Sequence, residues 1–391
     1  MTEQHSFALA GADPRLAGGR LTINLHSLVA NYHALQHMCA PASVAGVLKA
    51  DAYGLGVEFV APALIKAGCG HFFVALPEEG RRLRDLAPDA AIFVLAGLFE
   101  AEAAPFYSDS LLIPVLNTER EIAIWEAHCG IVGEALPCAI HVDTGMNRLG
   151  LSVEQATAFA EDNALTKAVK PILLISHFAT ADTPLHPLNR RQIETFQKIR
   201  QSFNGMEASI ANSAGVFIGK GAHFDLTRPG IALYGGAPVT GLKNPMLPVA
   251  TAEARIIQLR NVAPGETVSY GATVTVDRPT TLAVTAVGYA DGYMRTLSGS
   301  GVPLRTAVPQ GGMGFAAGRR VPVIGRITMD LTIFDVTDCG HDVLQPGDFV
   351  ELFGENIPID EAADAAGTIA YELLTSLGPR WHRHVIQASA E

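Results

Sequence analysis

The order of apolar runs in the chain predicts a (β/α)8 TIM-like barrel followed by a mostly β C-terminal domain. Two observations carry the barrel and a third carries the second domain. After residue 40, eight short apolar runs alternate with amphipathic segments of helical length, the rhythm of repeated βα units. The runs are nearly unbroken in apolar character, as strands of a parallel sheet covered on both faces must be. From about residue 250 this rhythm gives way to β-rich segments cut by Gly and Pro. Eight βα units closing on themselves form a barrel. The alternative, an open doubly wound sheet, usually carries a GxGxxG turn after its first strand, and that turn is missing here.

The eight runs are "SVAGVLKA" (43–50), "HFFVAL" (71–76), "AAIFVLAG" (90–97), "LLIPVLN" (111–117), "LPCAIHVD" (136–143), "KPILLISHF" (170–178), "EASIAN" (207–212) and "HFDLTRPGIALYG" (223–235). Segments such as "TEREIAIWEAHC" (118–129) and "NRRQIETFQKIRQSF" (189–203) separate them with apolar spacing near 3.6 residues. The later β-rich segments include "TTLAVTAVGYADGY" and "RRVPVIGRITMDLTIFDV", and a helix is expected over 359–378. The expected division is an N-terminal extension over 1–20, a barrel over 21–250 and a β domain over 251–391. The first strand, about 21–25 ("LTINL"), is a candidate partner for the β domain. No internal repeat of 20–50 residues is visible.

Bulk properties narrow the function classes. With 48% hydrophobic and 17% charged residues among 391, the chain has the composition of a globular protein with a large core. A net charge of −11 argues against nucleic acid or an anionic membrane surface as a partner, because both call for a basic patch. The five cysteines, 39, 69, 129, 138 and 339, are scattered and form no CxxC pair. They read as small residues in a reducing cytosol, with no metal site expected. The first twenty residues lack the basic start and apolar run of a secretory signal, and no run reaches the ~18–20 residues of a membrane helix.

In such a barrel the chemistry gathers at the C-terminal ends of the strands. Strand one ends on Lys49, followed by Asp51 and Tyr53. Strand five ends on Asp143, with Arg148 soon after. His177 ends strand six, Asn212 and Ser213 strand seven, and Arg228 stands before Pro229, Gly230 and Ile231 at strand eight. Taken singly, a strand-end lysine usually snorkels to solvent and a Ser after Asn usually caps a turn. Together on one rim they offer an amine, an imidazole, two guanidiniums and a hydroxyl. A lysine whose neutral form is favoured by burial and nearby cations can form an imine. The cofactor that combines such an imine with a phosphate is pyridoxal 5′-phosphate. "NSAG" (212–215) and "RPGI" (228–231) lie where barrels commonly hold phosphates, after strands seven and eight.

At "VLKADAYGLG" (47–56) the sequence resembles the alanine racemase family, fold-type III pyridoxal-phosphate enzymes. "DTGMNRLG", "SHFATAD", "NSAG", "RPGIALYG", "VSYGATV", "GYADGY", "GRITMD" and "GTIAYELLT" follow in the family's order. The resemblance implies interconversion of L- and D-alanine, with D-alanine supplied to peptidoglycan, by a cytoplasmic homodimer with shared sites. Lys49 would carry the cofactor and act as one catalytic base. Tyr270, reaching in from the partner subunit, would be the other. Tyr53, Asn212, Ser213, Gly230, Ile231 and Tyr371 would hold the cofactor and its phosphate. Arg228 would face the pyridine nitrogen, with His177 forming a cationic relay from it toward Tyr270. Arg148 and the Met329 N–H would bind the substrate carboxylate, and Tyr289 would narrow the mouth of the site, near Asp330. Position 141 departs from the family pattern: many members have there a carbamylated lysine that positions the arginine, and this chain has His141. Two other readings are a broader amino-acid racemase and a non-catalytic pyridoxal-phosphate carrier, which typically lacks the β domain.

Overall fold

The computed structural model describes residues 12–203, 205–340 and 342–387. Seven short strands pair in parallel and in chain order: Gly46–Val47, His71–Val74, Ala91–Val94, Ile113–Leu116, Pro137–His141, Lys170–Ile175 and Glu207–Ser209. An eighth, Leu226–Thr227, closes the ring by running parallel to Ser43–Val44, the first half of strand one. On its other side the Asp225 and Arg228 N–H groups donate to the Ala208 and Ala211 carbonyls at 3.0 and 2.8 Å. Each of the eight apolar runs therefore contains one barrel strand, and the predicted fold class holds. The strands are short because only their central residues must be dry on both faces. In Ile113–Leu116 all four are buried, and Phe73 and Phe93 from neighbouring strands stack inside at 4.7 Å.

The helices between strands begin and end where the local chemistry dictates. Thr118 caps Glu119–Val132 by accepting the Glu121 N–H, and Gly133 ends it with a left-handed φ of 87°. Ser152 and Gln155 form a reciprocal capping box at Val153–Glu161. The helix Leu25–Cys39 carries buried Asn31, whose side chain bonds the Leu233 carbonyl and both polar groups of Leu247. That amide ties the end of the barrel to the segment leading into the second domain, and its bonds leave neither end unsatisfied.

The second domain is built on an eight-stranded sheet. Its long central strand, Ala250–Val262, pairs with Phe349–Phe353 and Thr280–Thr285. Gly19–Asn24 lies between that strand, antiparallel, and Trp381–Ile386, parallel. Its residues alternate between buried and half-buried, with Leu21 and Ile23 fully inside, the period of two expected of a sheet with one core face. Gly19 has no room for a side chain, since a Cβ there would meet the Trp381 ring at 2.5 Å. No helix among the described residues is long and apolar enough to cross a membrane.

Candidate active site

Strand one delivers Lys49 to the rim, and the backbone then turns in an unusual way. Ala50, Asp51, Ala52 and Tyr53 all have φ between 53° and 57°, one turn of left-handed helix without a glycine. Each such residue costs on the order of 1–2 kcal/mol, so the surroundings must hold the turn. Ala52 N–H and Gly54 N–H close it internally onto Leu48 and Ala50. From the neighbouring helix Pro77–Leu86, Glu79 Oε1 accepts the Ala50 N–H at 2.7 Å, and Arg82 pairs with Asp51 and Glu58. From the second domain, Arg383 donates to the Gly54 carbonyl at 3.1 Å. Burial, reinforced by Arg148 and Arg228 and opposed by Glu79, lowers the Lys49 amine from its ordinary value.

A cradle for an anion lies beside it. Ser213 Oγ accepts the Gly230 N–H at 2.8 Å and the Ala232 N–H at 3.2 Å. A hydroxyl that already accepts twice keeps its own proton to donate. Tyr53 is buried, stacked 4.6 Å from Tyr234 and 5.9 Å from the Tyr371 ring. A Cβ at Gly230 would fall 2.0 Å from the Tyr53 hydroxyl oxygen, so only glycine lets the two approach. Burial raises the Tyr371 phenol to about 12, with Asp182 and Asp360 adding to it, so it is a donor at neutral pH. Asn212 caps the short turn of Ser213 by accepting the Gly215 N–H at 2.9 Å, and Ile231 is fully buried behind Gly230.

Arg228 is 4% exposed, yet no acid among the described residues pairs with it. It donates to Ser209 Oγ, to the Ser176 carbonyl at 2.6 Å and to His177 Nδ1 at 3.3 Å, and lies over the Phe73 ring. Burial pushes it down to about 9, which leaves it charged at neutral pH. Because a guanidinium can only donate, His177 Nδ1 accepts and its proton sits on Nε2. Asn212 Nδ2 stands 3.5 Å from Nε2, and since both atoms then carry hydrogen the two do not bond each other. Burial, then Arg228 and Arg148, hold the His177 imidazole well below its ordinary value. The expected cationic relay is thus corrected in one respect: the charge is on Arg228, and His177 is neutral.

Arg148 projects from a loop that Asp143 ties to itself by accepting the Gly145, Met146 and Asn147 N–H groups, each at 2.8 Å. The guanidinium is exposed and forms no hydrogen bond or ion pair among the described residues. Buried His141 bonds Asn117 Oδ1 through Nδ1 at 2.7 Å. The Asn117 amide donates to the Val115 carbonyl at 2.8 Å, so its oxygen faces the ring and His141 Nδ1 carries the proton. Burial, with Arg228 and Arg148 nearby, pushes His141 down to about 4. Position 141 therefore contributes a neutral acceptor at Nε2.

The remaining sequence candidates sit on the second domain and face outward. Tyr270 is 73% exposed, Met329 54% and Tyr289 41%. Tyr270 follows the strand Thr267–Val268, and Ser269 before it anchors to the Arg326 carbonyl. The Met329 and Thr328 carbonyls accept the Ala290 and Tyr289 N–H groups, so these two segments form one surface. Arg380 braces it by pairing with Asp291 and Asp330. Lys49, Tyr53, His177, Asn212, Ser213, Arg228, Gly230, Ile231 and Tyr371 gather around the barrel mouth, with Arg148 at its edge. Tyr270 makes no hydrogen bond or ring contact with them.

Residues 23–238 match the family model of the alanine racemase N-terminal domain, and residues 249–385 match that of the C-terminal domain. The chain belongs to the alanine racemase family. It is 52% identical over 367 residues to an alanine racemase of Rhizobium meliloti, covering 94% of this chain and 96% of that one. It is 50% identical to a biosynthetic alanine racemase of Agrobacterium fabrum, covering 94% of each. The alanine racemase of Bartonella henselae, solved with covalently bound pyridoxal phosphate, superimposes with a TM-score of 0.87 at 36% identity, covering 95% of this chain and all of that one. Alanine racemases are isomerases, and the barrel mouth fits their cofactor. Lys49 offers a depressed amine, Ser213, Tyr53 and Gly230 offer a close-fitting phosphate cradle, and Arg228 is a buried cation with spare N–H groups.

Several contributors are not among the sequence candidates: Glu79, just past the run 71–76, Ser209, inside the run 207–212, and Asn117, the last residue of the run 111–117. Asn117 alone left a signal, as a carboxamide closing an otherwise apolar run.

Proposed function

We propose that this chain interconverts L- and D-alanine with pyridoxal 5′-phosphate bound at Lys49, in a homodimer that completes each site with Tyr270 of the partner subunit. The carrying observation is Lys49 itself: a half-buried amine, lowered from its ordinary value, at the mouth of a barrel whose rim also holds an anion cradle and a buried cation. Bound there, the cofactor supplies an electron sink that acidifies the α-hydrogen of an amino acid. Arg148 and the Met329 N–H hold the substrate carboxylate. Tyr53, Ser213, Gly230, Ile231 and Tyr371 hold the phosphate, and Asn212 and His177 line the ring.

Racemisation removes the α-proton from one face and returns one on the other, so two groups on opposite faces are the economical solution. Lys49 serves one face and the partner's Tyr270 the other. A phenol is a poor base near neutral pH. The His177 Nε2–H, with Arg228 behind it, is a donor suited to stabilising the phenolate. The outward display of Tyr270, Tyr289 and Met329 supports the dimer, since apolar groups at such exposure are suited to covering another surface. All five cysteines are free and four are buried, which supports a reducing, cytoplasmic setting. The biosynthetic name of the Agrobacterium relative supports supply of D-alanine to peptidoglycan.

The test is threefold. The purified chain should exchange the α-hydrogen of alanine in deuterated water, borohydride should fix the cofactor on Lys49, and specific activity should fall on dilution as the dimer parts. A colourless sample that still racemises alanine, or a label on another lysine, defeats the proposal.

A further inference from the structure

Glu79 makes bonds that its place in the helix does not explain. It is the third residue of Pro77–Leu86, where a carboxylate commonly caps its own helix. One oxygen does that: Oε2 accepts the Ala75 N–H at 2.8 Å and the Leu76 N–H at 3.0 Å. The other, Oε1, turns away to the Ala50 N–H at 2.7 Å, 29 residues distant in sequence. Ala50 is the first of the four left-handed residues, and it directly follows Lys49. Three residues further along the same helix, Arg82 grips Asp51 within that turn.

We propose that Glu79 is a positioning residue for Lys49: its carboxylate ties the first βα loop to the second and so fixes the left-handed turn that aims the amine into the site. This rests on the reading of Lys49 as the cofactor lysine. The geometry stands on three backbone bonds to one side chain, two on one loop and one on the other. The charge has a second consequence. Besides burial, the groups acting on the Lys49 amine are Arg148 and Arg228, which disfavour its ammonium form, and Glu79, which favours it. His177 also faces the amine and is neutral. Replacing the carboxylate by an amide removes the favouring group, so the amine loses its proton at a lower pH.

The test uses the full-length chain, wild type and Glu79→Gln, with Glu78→Gln as control. Glu78 is exposed and, among the described residues, pairs only with Arg81. The first readout is amide hydrogen exchange at Ala50, which needs no cofactor. Loss of the charged acceptor should speed it by about tenfold or more, with exchange in the distant sheet strand Ala250–Val262 unchanged. The second is the pH dependence of pyridoxal-phosphate capture on Lys49, followed by absorbance after the resident cofactor is removed. Its midpoint should move to lower pH in Glu79→Gln and stay in place in Glu78→Gln. A role limited to capping the helix would leave both the midpoint and Ala50 exchange unchanged, and that outcome overturns the inference. Should the wild-type chain fail to capture pyridoxal phosphate at Lys49, the proposed function falls, while the exchange comparison still decides the clamp.

Discussion

The barrel rim and the outward surface of the second domain contribute to the same proposed chemistry in opposite physical states. On the rim, Arg228, Ser213 and Tyr53 are buried, and the first two are held by several hydrogen bonds. On the second domain, Tyr270, Tyr289 and Met329 are exposed, and Tyr270 forms no hydrogen bond or ring contact with the described rim residues. A single copy therefore presents the amine and the anion cradle, while its own Tyr270 forms no hydrogen bond or ring contact with them among the described residues. Cofactor binding belongs to one chain in this view, and turnover to two.

The sharpest way to break this division is to disable each side separately. Lys49→Ala should lose both the visible cofactor band and racemisation. Tyr270→Phe should keep the band and lose turnover by about 10²–10⁴-fold, the usual scale of a general acid or base. A carrier protein would be unaffected by that change. Co-refolded Lys49→Ala and Tyr270→Phe chains should recover about a quarter of wild-type activity, because half the dimers are mixed and each of these has one intact site. No recovery would place Tyr270 in its own chain's site or outside any.

Smaller effects test the rim itself. Gly230→Ala sets a methyl against the Tyr53 hydroxyl, and overpacking of this kind costs about 1–3 kcal/mol. Cofactor titration should show affinity weakened by about 10–100-fold at that cost. Ser213→Ala leaves the Gly230 and Ala232 N–H groups without their acceptor, and a loss of about tenfold is expected in the same titration. The smallest effect concerns His141 and pH. His141 is pushed down to about 4 and His177 well below its ordinary value in the folded chain. On unfolding below about pH 6.5 both regain ordinary imidazole basicity and bind protons, so stability is full above that pH and falls toward pH 4. Each histidine contributes a slope of at most ~1.4 kcal/mol per pH unit. His141→Gln should flatten the acid dependence of urea midpoints by about one such slope.

The barrel was legible because burial on both faces leaves eight dense apolar runs. Closure followed from the count of eight units, but the pairing that makes it was not legible, since Leu226–Thr227 and Ser43–Val44 are two-residue strands about as far apart in sequence as the barrel is long. Lys49 and Arg228 were legible as charges ending apolar strands. The left-handed turn was hidden, because "ADAY" carries none of the glycine or asparagine that usually announces positive φ. It exists through tertiary bonds from Glu79, Arg82 and Arg383. The neutrality of His177 was equally hidden. It depends on burial and on the direction of one guanidinium bond, and neither leaves a trace in residue order.

The strand Gly19–Asn24, held between Ala250–Val262 and Trp381–Ile386, has a consequence for biosynthesis. It leaves the ribosome early, but its parallel neighbour follows roughly 360 residues later, a wait on the order of 20–70 s at ordinary elongation rates. The barrel strands are all synthesised before the antiparallel neighbour Ala250–Val262, so Leu21 and Ile23 wait for their first sheet partner until the barrel is made and for the second until later still. The second domain can therefore be completed only after the barrel that interrupts it in sequence has been made.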